Sequence, residues 1–561
     1  MRLTVPHSNA AALVLALLGC WGESRAPQAG SGPGAVAVQL LAFNDFHGSL
    51  EPSGEAVFDA AAPDGGALAG GAGAFAALLL RLRAQAPERT VVVAAGDLVG
   101  GSPLASALFH DEPTIELMNR VGLDVSSIGN HELDHGQEEL LRLQEGGCHP
   151  TDGCVFDSSF GGAYFQYLAA NVVRDPLSGE TLLPAYTLRR VAGVTLGFIG
   201  LTLAGTPSLV PGSGIAGLGF LPEAETVNAL VPRLRALGAA AIVVLVHQGG
   251  FAPLRQDLSG CNIRGDILPI VAALDPGVDV VISGHTHVAY VCPNLGGKLL
   301  TSAASHGRVI TEIWLTVDPE KRVVLSKSAE NRIVHSDGEE DAEARAIAER
   351  AIRGAAPLAD RVIGRIAGAL GRSVDAAGES ALGDVLADAQ LAATAAPPAA
   401  AEVALMNPGG IRADLGADPG EVRYGQAFAV QPFGNALVTL SLSGGQLRAL
   451  LEQQWQPGRS ARVLAVSSGF RYGYRAGAAA GSKVDPASMR LGGAAVDPAR
   501  LYRVTVNSFL AEGADGFALL AEGTGRVEGM LDVEALVEHL RPTLTGPPLP
   551  VPALERIVRT P

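Results

Sequence analysis

From Val36 to about Val317 the chain alternates strand-length apolar runs with helix-length segments, and that rhythm leaves few folds open to it. The runs Val36 to Phe43, Thr90 to Ala95, Val125 to Ile128, Leu168 to Val173, Val194 to Leu201, Ala241 to Val246, Val278 to Ile282 and Val309 to Val317 read as strands buried on both faces. Between several of them, Ala72 to Arg83, Thr114 to Val121, Ala224 to Leu237 and Ile267 to Leu274 read as helices. A layered α/β sandwich is the architecture that covers such strands on both sides. Polar residues gather where the strands end. Asp45, Asp97, Asn130, His247 and His285 each follow an apolar run by a few residues, and ligands of α/β sheets usually sit at strand ends.

Beyond Val334 the charged, Ala-rich stretch Asp337 to Ala355 reads as a connecting helix, and a second unit follows. Its markers are Leu382 to Leu391, Val403 to Met406 running into Asn407-Pro408-Gly409-Gly410-Ile411-Arg412, the Gln431-Pro432-Phe433-Gly434 turn, and Tyr502 to Asn507 running into Phe509 to Phe517. The length allows three or four domains by average size, or two large α/β units. With 48% hydrophobic and 17% charged residues the chain is not disordered. Lys and Arg number 41 against 57 Asp and Glu, a formal charge of −16, which disfavours a nucleic-acid polymer as partner but leaves room for a single nucleotide.

Arg2, an apolar stretch from Ala11 to Leu18 and Leu17-Leu18-Gly19-Cys20 predict a leader over residues 1–20, followed by a Gly/Pro/Ser-rich tether over 21–35. The Leu-Leu-Gly-Cys ending resembles a lipoprotein processing site, with Cys20 as the lipid anchor; an ordinary secretory leader is the alternative. The four other cysteines, Cys148, Cys154, Cys261 and Cys292, suit an exported protein with two disulfides. Three pairings are open. Cys148 with Cys154 and Cys261 with Cys292 close the shortest loops, and a structural zinc is the rival use of the four.

Only 12 His occur, and five of them fall in polar clusters after apolar runs: Asn44-Asp45-Phe46-His47-Gly48, Gly129-Asn130-His131-Glu132-Leu133-Asp134, Val246-His247 and Gly284-His285-Thr286-His287, with Gly96-Asp97 between the first two. Asp and His are donors suited to manganese, iron, cobalt or zinc. If Asp45 to His47 and His285 to His287 run extended, residues two apart point the same way and each pair aims two ligands at one site.

Each piece alone is weak, but the ordered set resembles the calcineurin-like metallophosphoesterases. The resemblance implies two divalent ions, with zinc, manganese or cobalt expected. Asp45, His47, Asp97 and His287 would hold one ion and Asp97, Asn130, His247 and His285 the other, with a bridging hydroxide as nucleophile. His131 would stand by the leaving group, held by Asp134, while His135 is read as a surface neighbour.

The second unit narrows the resemblance to the bacterial 5′-nucleotidase family. Its motifs imply that Asn407 and Arg412 bind near the phosphate, that Phe433 and Phe509 sandwich a nucleobase, and that Asp515 binds ribose hydroxyls. The expected organisation is a four-layer α/β sandwich metallophosphoesterase domain over 36–337, a linker helix over 338–363, and an α/β substrate-binding domain over 364–561. A hinge is expected near 340–365. Three departures stand out: Gly378 where the family often has Arg, with Arg372 six residues upstream; Asp384 in place of Asn; and Pro408 in place of Gly. The expected function is an exported, monomeric phosphohydrolase acting on nucleoside 5′-monophosphates, extending to other nucleotides or nucleotide sugars. It would meet the membrane only through a lipid at Cys20. A 2′,3′-cyclic phosphodiesterase, a thiosulfate-releasing relative and a non-catalytic nucleoside-binding lipoprotein are the alternatives.

Overall fold

The computed structural model describes residues 34–58, 66–175, 178–252, 258–416, 418–456 and 460–561. The expected leader, Cys20 and the tether up to residue 33 lie outside the described residues. Two six-stranded sheets form the first unit. One runs Val323–Ile333, Val309–Asp318, Val36–Phe43, Thr90–Ala95, Val125–Ser127, Gln166–Leu168; the other runs Tyr290–Leu295, Lys298–Ser302, Val280–Ser283, Ala241–His247, Val194–Thr202, Tyr186–Val191. The central strands of both are parallel, and the antiparallel strands lie toward the edges.

The pleat explains the four layers. Val38, Leu40 and Ala42 alternate onto the face that meets the other sheet, packing with Val91, Val93, Phe198, Val243 and Leu245. Leu41 and Phe43 point the opposite way, under the helices Ala72–Arg83 and Glu112–Val121. The helices Glu223–Ala236 and Ile267–Ala273 cover the outer face of the second sheet through Val227, Val231, Ile267 and Val271. Helix, sheet, sheet and helix therefore stack in that order.

One sequence expectation fails here. Leu168 to Val173 is not one strand but the end of Gln166–Leu168 and the start of Val172–Asp175. The buried Asn171 breaks it: its Nδ2 donates to the carbonyls of Thr202 and Leu221, and its Oδ1 accepts from Thr202 N, so the chain turns to serve these bonds.

The helix Ala342–Ala359 follows, starting at Asp341, whose side chain accepts from Ala344 N. Asp341 also pairs with Arg120 at 2.7 Å, Arg350 pairs with Glu116, and Ala344, Ala348, Ala351 and Ala355 are buried against the first unit's core. In the second unit a five-stranded mixed sheet runs Ala465–Val466, Val403–Met406, Leu501–Asn507, Ala436–Ser443, Thr524–Leu531, with the helix Ala381–Thr394 against it. A four-stranded sheet closes the fold around Phe470–Arg475 and Ile557–Thr560. Both disulfides pair the nearer cysteines, Cys148 with Cys154 and Cys261 with Cys292.

Candidate active site

Every proposed metal ligand sits at or just past the C-terminal end of a parallel strand: Asp45 and His47 after Val36–Phe43, Asp97 after Thr90–Ala95, Asn130 after Val125–Ser127, His247 closing Ala241–His247, and His285 and His287 after Val280–Ser283. The adjacency of these strand ends gathers the residues into two groups, Asp45 with His47 and His287, and Asp97 with His247 and His285. Asn130 joins the second group, its Oδ1 lying 3.1 Å from His285 Nδ1.

The expected extended pairs are not extended. Asp45, His47, Asp97, His285 and His287 all have left-handed backbones, with φ between 48° and 71°. Tight turns, rather than the pleat, aim these side chains, and strained backbone of this kind concentrates at functional sites. His285 and His287 accordingly fall in different groups. Close packing forces glycine nearby: a Cβ on Gly129 would lie 2.2 Å from Asp97 Oδ1.

The donor chemistry fits divalent cations. His47 and His247 place Nδ1 within 2.8 Å of the carbonyls of Gly100 and Ala95, which fixes the proton there and turns Nε2 inward as a lone pair. His47 Nε2 then faces His287 Nε2 at 3.1 Å, and Asp45 Oδ1 lies 3.3 Å from the same His287 nitrogen, so two imidazole nitrogens and a carboxylate oxygen meet at one point. His247 Nε2 lies 2.9 Å from Asp97 Oδ2, yet it has no aligned hydrogen-bond partner. Both atoms point toward a shared position rather than along a common bond.

The charges agree with this. Burial pushes the Asp45 and Asp97 carboxyls up, but the imidazoles around them outweigh it and hold both below the ordinary carboxylate range. Burial lowers His247, but Asp97 and Asp45 more than offset it and raise it to about 10. A proton there occupies the place a cation would take. Burial and the neighbouring His247 push His285 down to about 3, and burial lowers His47, so both are neutral donors.

His131 and Asp134 stand beside the cluster. His131 Nδ1 lies 2.8 Å from Asp134 Oδ2, and its backbone N donates to Asp97 Oδ1 at 2.9 Å. Burial opposes the imidazolium, yet Asp134 and Asp97 outweigh it and hold His131 above the usual histidine value. His135 is exposed, as expected.

Asn130, His131, Asp134 and His285 form one wall of a cavity of about 260 Å³ whose other wall is Asn407, Arg412, Phe433, Phe509 and Asp515. The His131 and Phe433 rings stack across the two units, 5.5 Å between centroids and 8° apart in plane. The Arg412 guanidinium lies over the same ring at 5.7 Å. Asn407 Nδ2 donates to Asp515 Oδ2 at 2.7 Å, and Asn507 Nδ2 donates to Asn407 Oδ1 at 3.0 Å. Of the twelve residues singled out in the sequence for metal or substrate, Asn130, His285 and the five substrate residues line this cavity with His131 and Asp134, His47 and His287 line an adjoining chamber that shares Arg412, and the buried Asp45, Asp97 and His247 join them through the two ligand groups.

The sequence reading missed several contributors. Arg462 lines the cavity and donates to Asp515 Oδ1 at 2.8 Å; it lies in a polar loop without a motif. Glu132 lies within the His131 motif but had no role. Its carboxylate accepts from the backbone N–H groups of Asp97, Leu98 and Gly129 at 2.6 to 2.9 Å, tying two ligand loops together. His306, in the loop beyond the apolar strand Lys298–Ser302, sits 5.7 Å from the His47 ring and lines a second chamber of about 460 Å³ with His287, Arg372 and Arg412.

Two of the three departures have local surroundings to set beside them, and nothing in the structure explains Pro408. Gly378 has φ +89°, and a Cβ there would meet Val463 Cγ2 at 2.7 Å, so no arginine fits. Arg372 instead lies beside Arg412, its Nη1 donating to the Arg412 carbonyl at 2.6 Å. The buried Asp384 lies beside Arg556, Nε to Oδ2 3.2 Å, yet burial outweighs the guanidinium and lifts its carboxyl to about 8.

Fold and donor set together define a metallophosphoesterase. Residues 38–289 match the calcineurin-like phosphoesterases, and residues 362–522 match the 5′-nucleotidase C-terminal domain. The chain belongs to the 5′-nucleotidase family of calcineurin-like phosphoesterases. It is 33% identical over 514 residues to an endonuclease of Bacillus subtilis, covering 90% of this chain but 40% of that protein. It is 29% identical over 542 residues to a cell wall protein of Listeria monocytogenes, covering 90% of this chain and 67% of the relative. Among solved structures, a 5′-nucleotidase precursor from Thermus thermophilus superposes with a TM-score of 0.74 at 28% identity, covering 93% of this chain and 99% of that one.

Proposed function

We propose that the chain is an exported phosphohydrolase holding two divalent ions, zinc, manganese or cobalt, and releasing phosphate from nucleoside 5′-monophosphates, with other nucleotides and nucleotide sugars within its reach. One observation carries the reading: a single cavity has Asn130 and His285 of the donor cluster with His131 and Asp134 on one side and Phe433, Phe509 and Asp515 on the other. Asp45, His47, Asp97 and His287 would hold one ion, and Asp97, Asn130, His247 and His285 the other. Bound there, the ions supply Lewis acidity, drawing charge from phosphoryl oxygens and acidifying water at neutral pH.

The chain's own groups do the rest. Asp134 holds His131 Nδ1, which leaves Nε2 to give a proton to the departing 5′-oxygen. Glu132 keeps the loops of Asp97 and Asn130 in register. Arg412 offers a planar fork to the phosphoryl oxygens, with Arg372 behind it. Phe433 and Phe509 offer apolar faces that accept any base. Asp515, anchored by Asn407 and Arg462, turns its remaining lone pairs to the ribose hydroxyls.

The domain limits proposed are 36–337 and 364–561, with the linker over 338–363. Because buried alanines bind the helix Ala342–Ala359 to the first unit, rotation between the units falls at its C-terminal end rather than along its length. Two disulfides and the likeness to a cell wall protein support export. Among the described residues no helix is long and apolar enough to cross a membrane. The proposed membrane attachment is a lipid at Cys20. A monomer is the proposed state.

The test is phosphate release by the metal-stripped protein resupplied with zinc, manganese or cobalt. AMP should exceed an aryl phosphate and a 2′,3′-cyclic nucleotide. Turnover of the cyclic or aryl ester alone would overturn the nucleotide assignment, and silence with metal bound would leave a binder.

A further inference from the structure

On the far side of the first unit's helices a second set of donors converges. His110 lies in the corner between the short helix Leu104–Ala107 and the helix Glu112–Val121; His149 and Asp152 lie on the loop that the Cys148–Cys154 disulfide closes. The two imidazoles stack face to face, centroids 3.8 Å apart and planes 9° apart. Asp152 Oδ2 reaches both, at 2.9 Å from His110 Nε2 and 3.5 Å from His149 Nδ1. One donor atom from each of the three lies within 4.8 Å of the others.

We propose that His110, His149 and Asp152 form a separate transition-metal site, taking zinc or a neighbouring divalent ion, outside the cavity that carries the phosphoesterase chemistry. Two nitrogens and one carboxylate oxygen are a borderline donor set that selects such ions over magnesium or calcium. The side chains are between a fifth and a half exposed, so the ion enters from solvent and keeps an open position for water.

The site is built rather than accidental. His149 and Gly153 exchange both backbone hydrogen bonds inside the disulfide loop, which fixes the spacing of His149 and Asp152. Arg142, 8% exposed, ties this loop to the His110 corner: its guanidinium donates to the Gly147 carbonyl at 2.8 Å and to the His110 carbonyl at 3.5 Å. The same guanidinium pairs with Glu112 and Glu139, which holds the corner that carries His110 in place. From this loop Phe156 packs on Phe109 at 5.3 Å and lies under the Arg350 guanidinium of the linker helix at 4.1 Å. A bound ion therefore fastens the loop that braces the linker helix.

The experiment compares zinc bound per chain, by atomic emission after equilibrium dialysis over a range of free zinc, in the whole protein and in His149→Ala and Asp152→Asn. The wild type should bind one equivalent more than either variant, with kcat on AMP within about twofold. Cobalt should give a visible absorption band that the variants lack. Equal zinc stoichiometry in wild type and variants overturns the site, whether the shared count is high or low. If His149→Ala loses its cooperative melt, His110→Gln and Asp152→Asn with the cobalt band decide. Because the readout is a difference between chains, it stands apart from whether AMP is the substrate.

Discussion

The two walls of the cavity are built on opposite plans. On the metal wall every proposed ligand stands at a parallel strand end, most are fully buried, and several are locked by backbone hydrogen bonds. On the substrate wall Phe433 and Phe509 are half-buried, and Asp515 lies in a short 3₁₀ segment. The first wall is preorganised for charge, where misplacement by an ångström is costly. The second offers faces and forks to a ligand of variable shape. Mutations on the first wall should therefore strike kcat, and those on the second KM.

The largest expected effect is that of His131→Ala, which should lower kcat by about 10² to 10⁴-fold with metal content unchanged, checked by turnover and atomic emission on the same sample. An unchanged kcat would break the comparison at its centre. Glu132→Gln should weaken metal binding by about 10 to 100-fold, read from zinc competition with a chelator, because a carboxylate that orders three backbone N–H groups becomes a half-donor. Phe433→Ala should raise KM for AMP by roughly fivefold or more while leaving the KM of a small aryl phosphate in place. A matching fall in kcat would sharpen the comparison, since Phe433 also stacks on His131.

The smallest effect concerns stability alone. Asp532 is buried, which lifts its carboxyl to about 7 against opposing hydrogen bonds from the Val533 backbone, the Asn435 side chain and its own backbone. A folded-state pKa raised above the unfolded value gives stability that is complete below pH ~4 and lost as pH rises through 7. Asp532→Asn should thus raise the melting midpoint relative to wild type at pH 8.5 and leave it nearly unchanged at pH 4, measured by calorimetry.

The metal wall was legible because its chemistry is local in sequence. An apolar run followed by Asp or His marks a strand end, and strand ends in such sheets converge. The reason first given for Asp45 with His47 was nevertheless wrong: left-handed turns aim them, which alternation of residue type does not reveal. The substrate wall was legible only through motif resemblance, since Phe433 and Phe509 look like core residues in isolation. Arg462 and the pairing of Asp384 with Arg556 escaped notice because each depends on a partner 53 or 172 residues away. Asn171 split a strand for the same reason: its partners lie on other segments.

The left-handed backbone at Asp45, His47, Asp97, His285 and His287 has a consequence for how such a chain drifts through sequence space. Outside glycine, the residues that tolerate this conformation best are Asn, Asp and His. Those are also side chains that donate to metal ions. A random walk that conserves the fold is thereby filtered at these positions toward residues that conserve the chemistry, so the turns protect the site even before selection acts on catalysis.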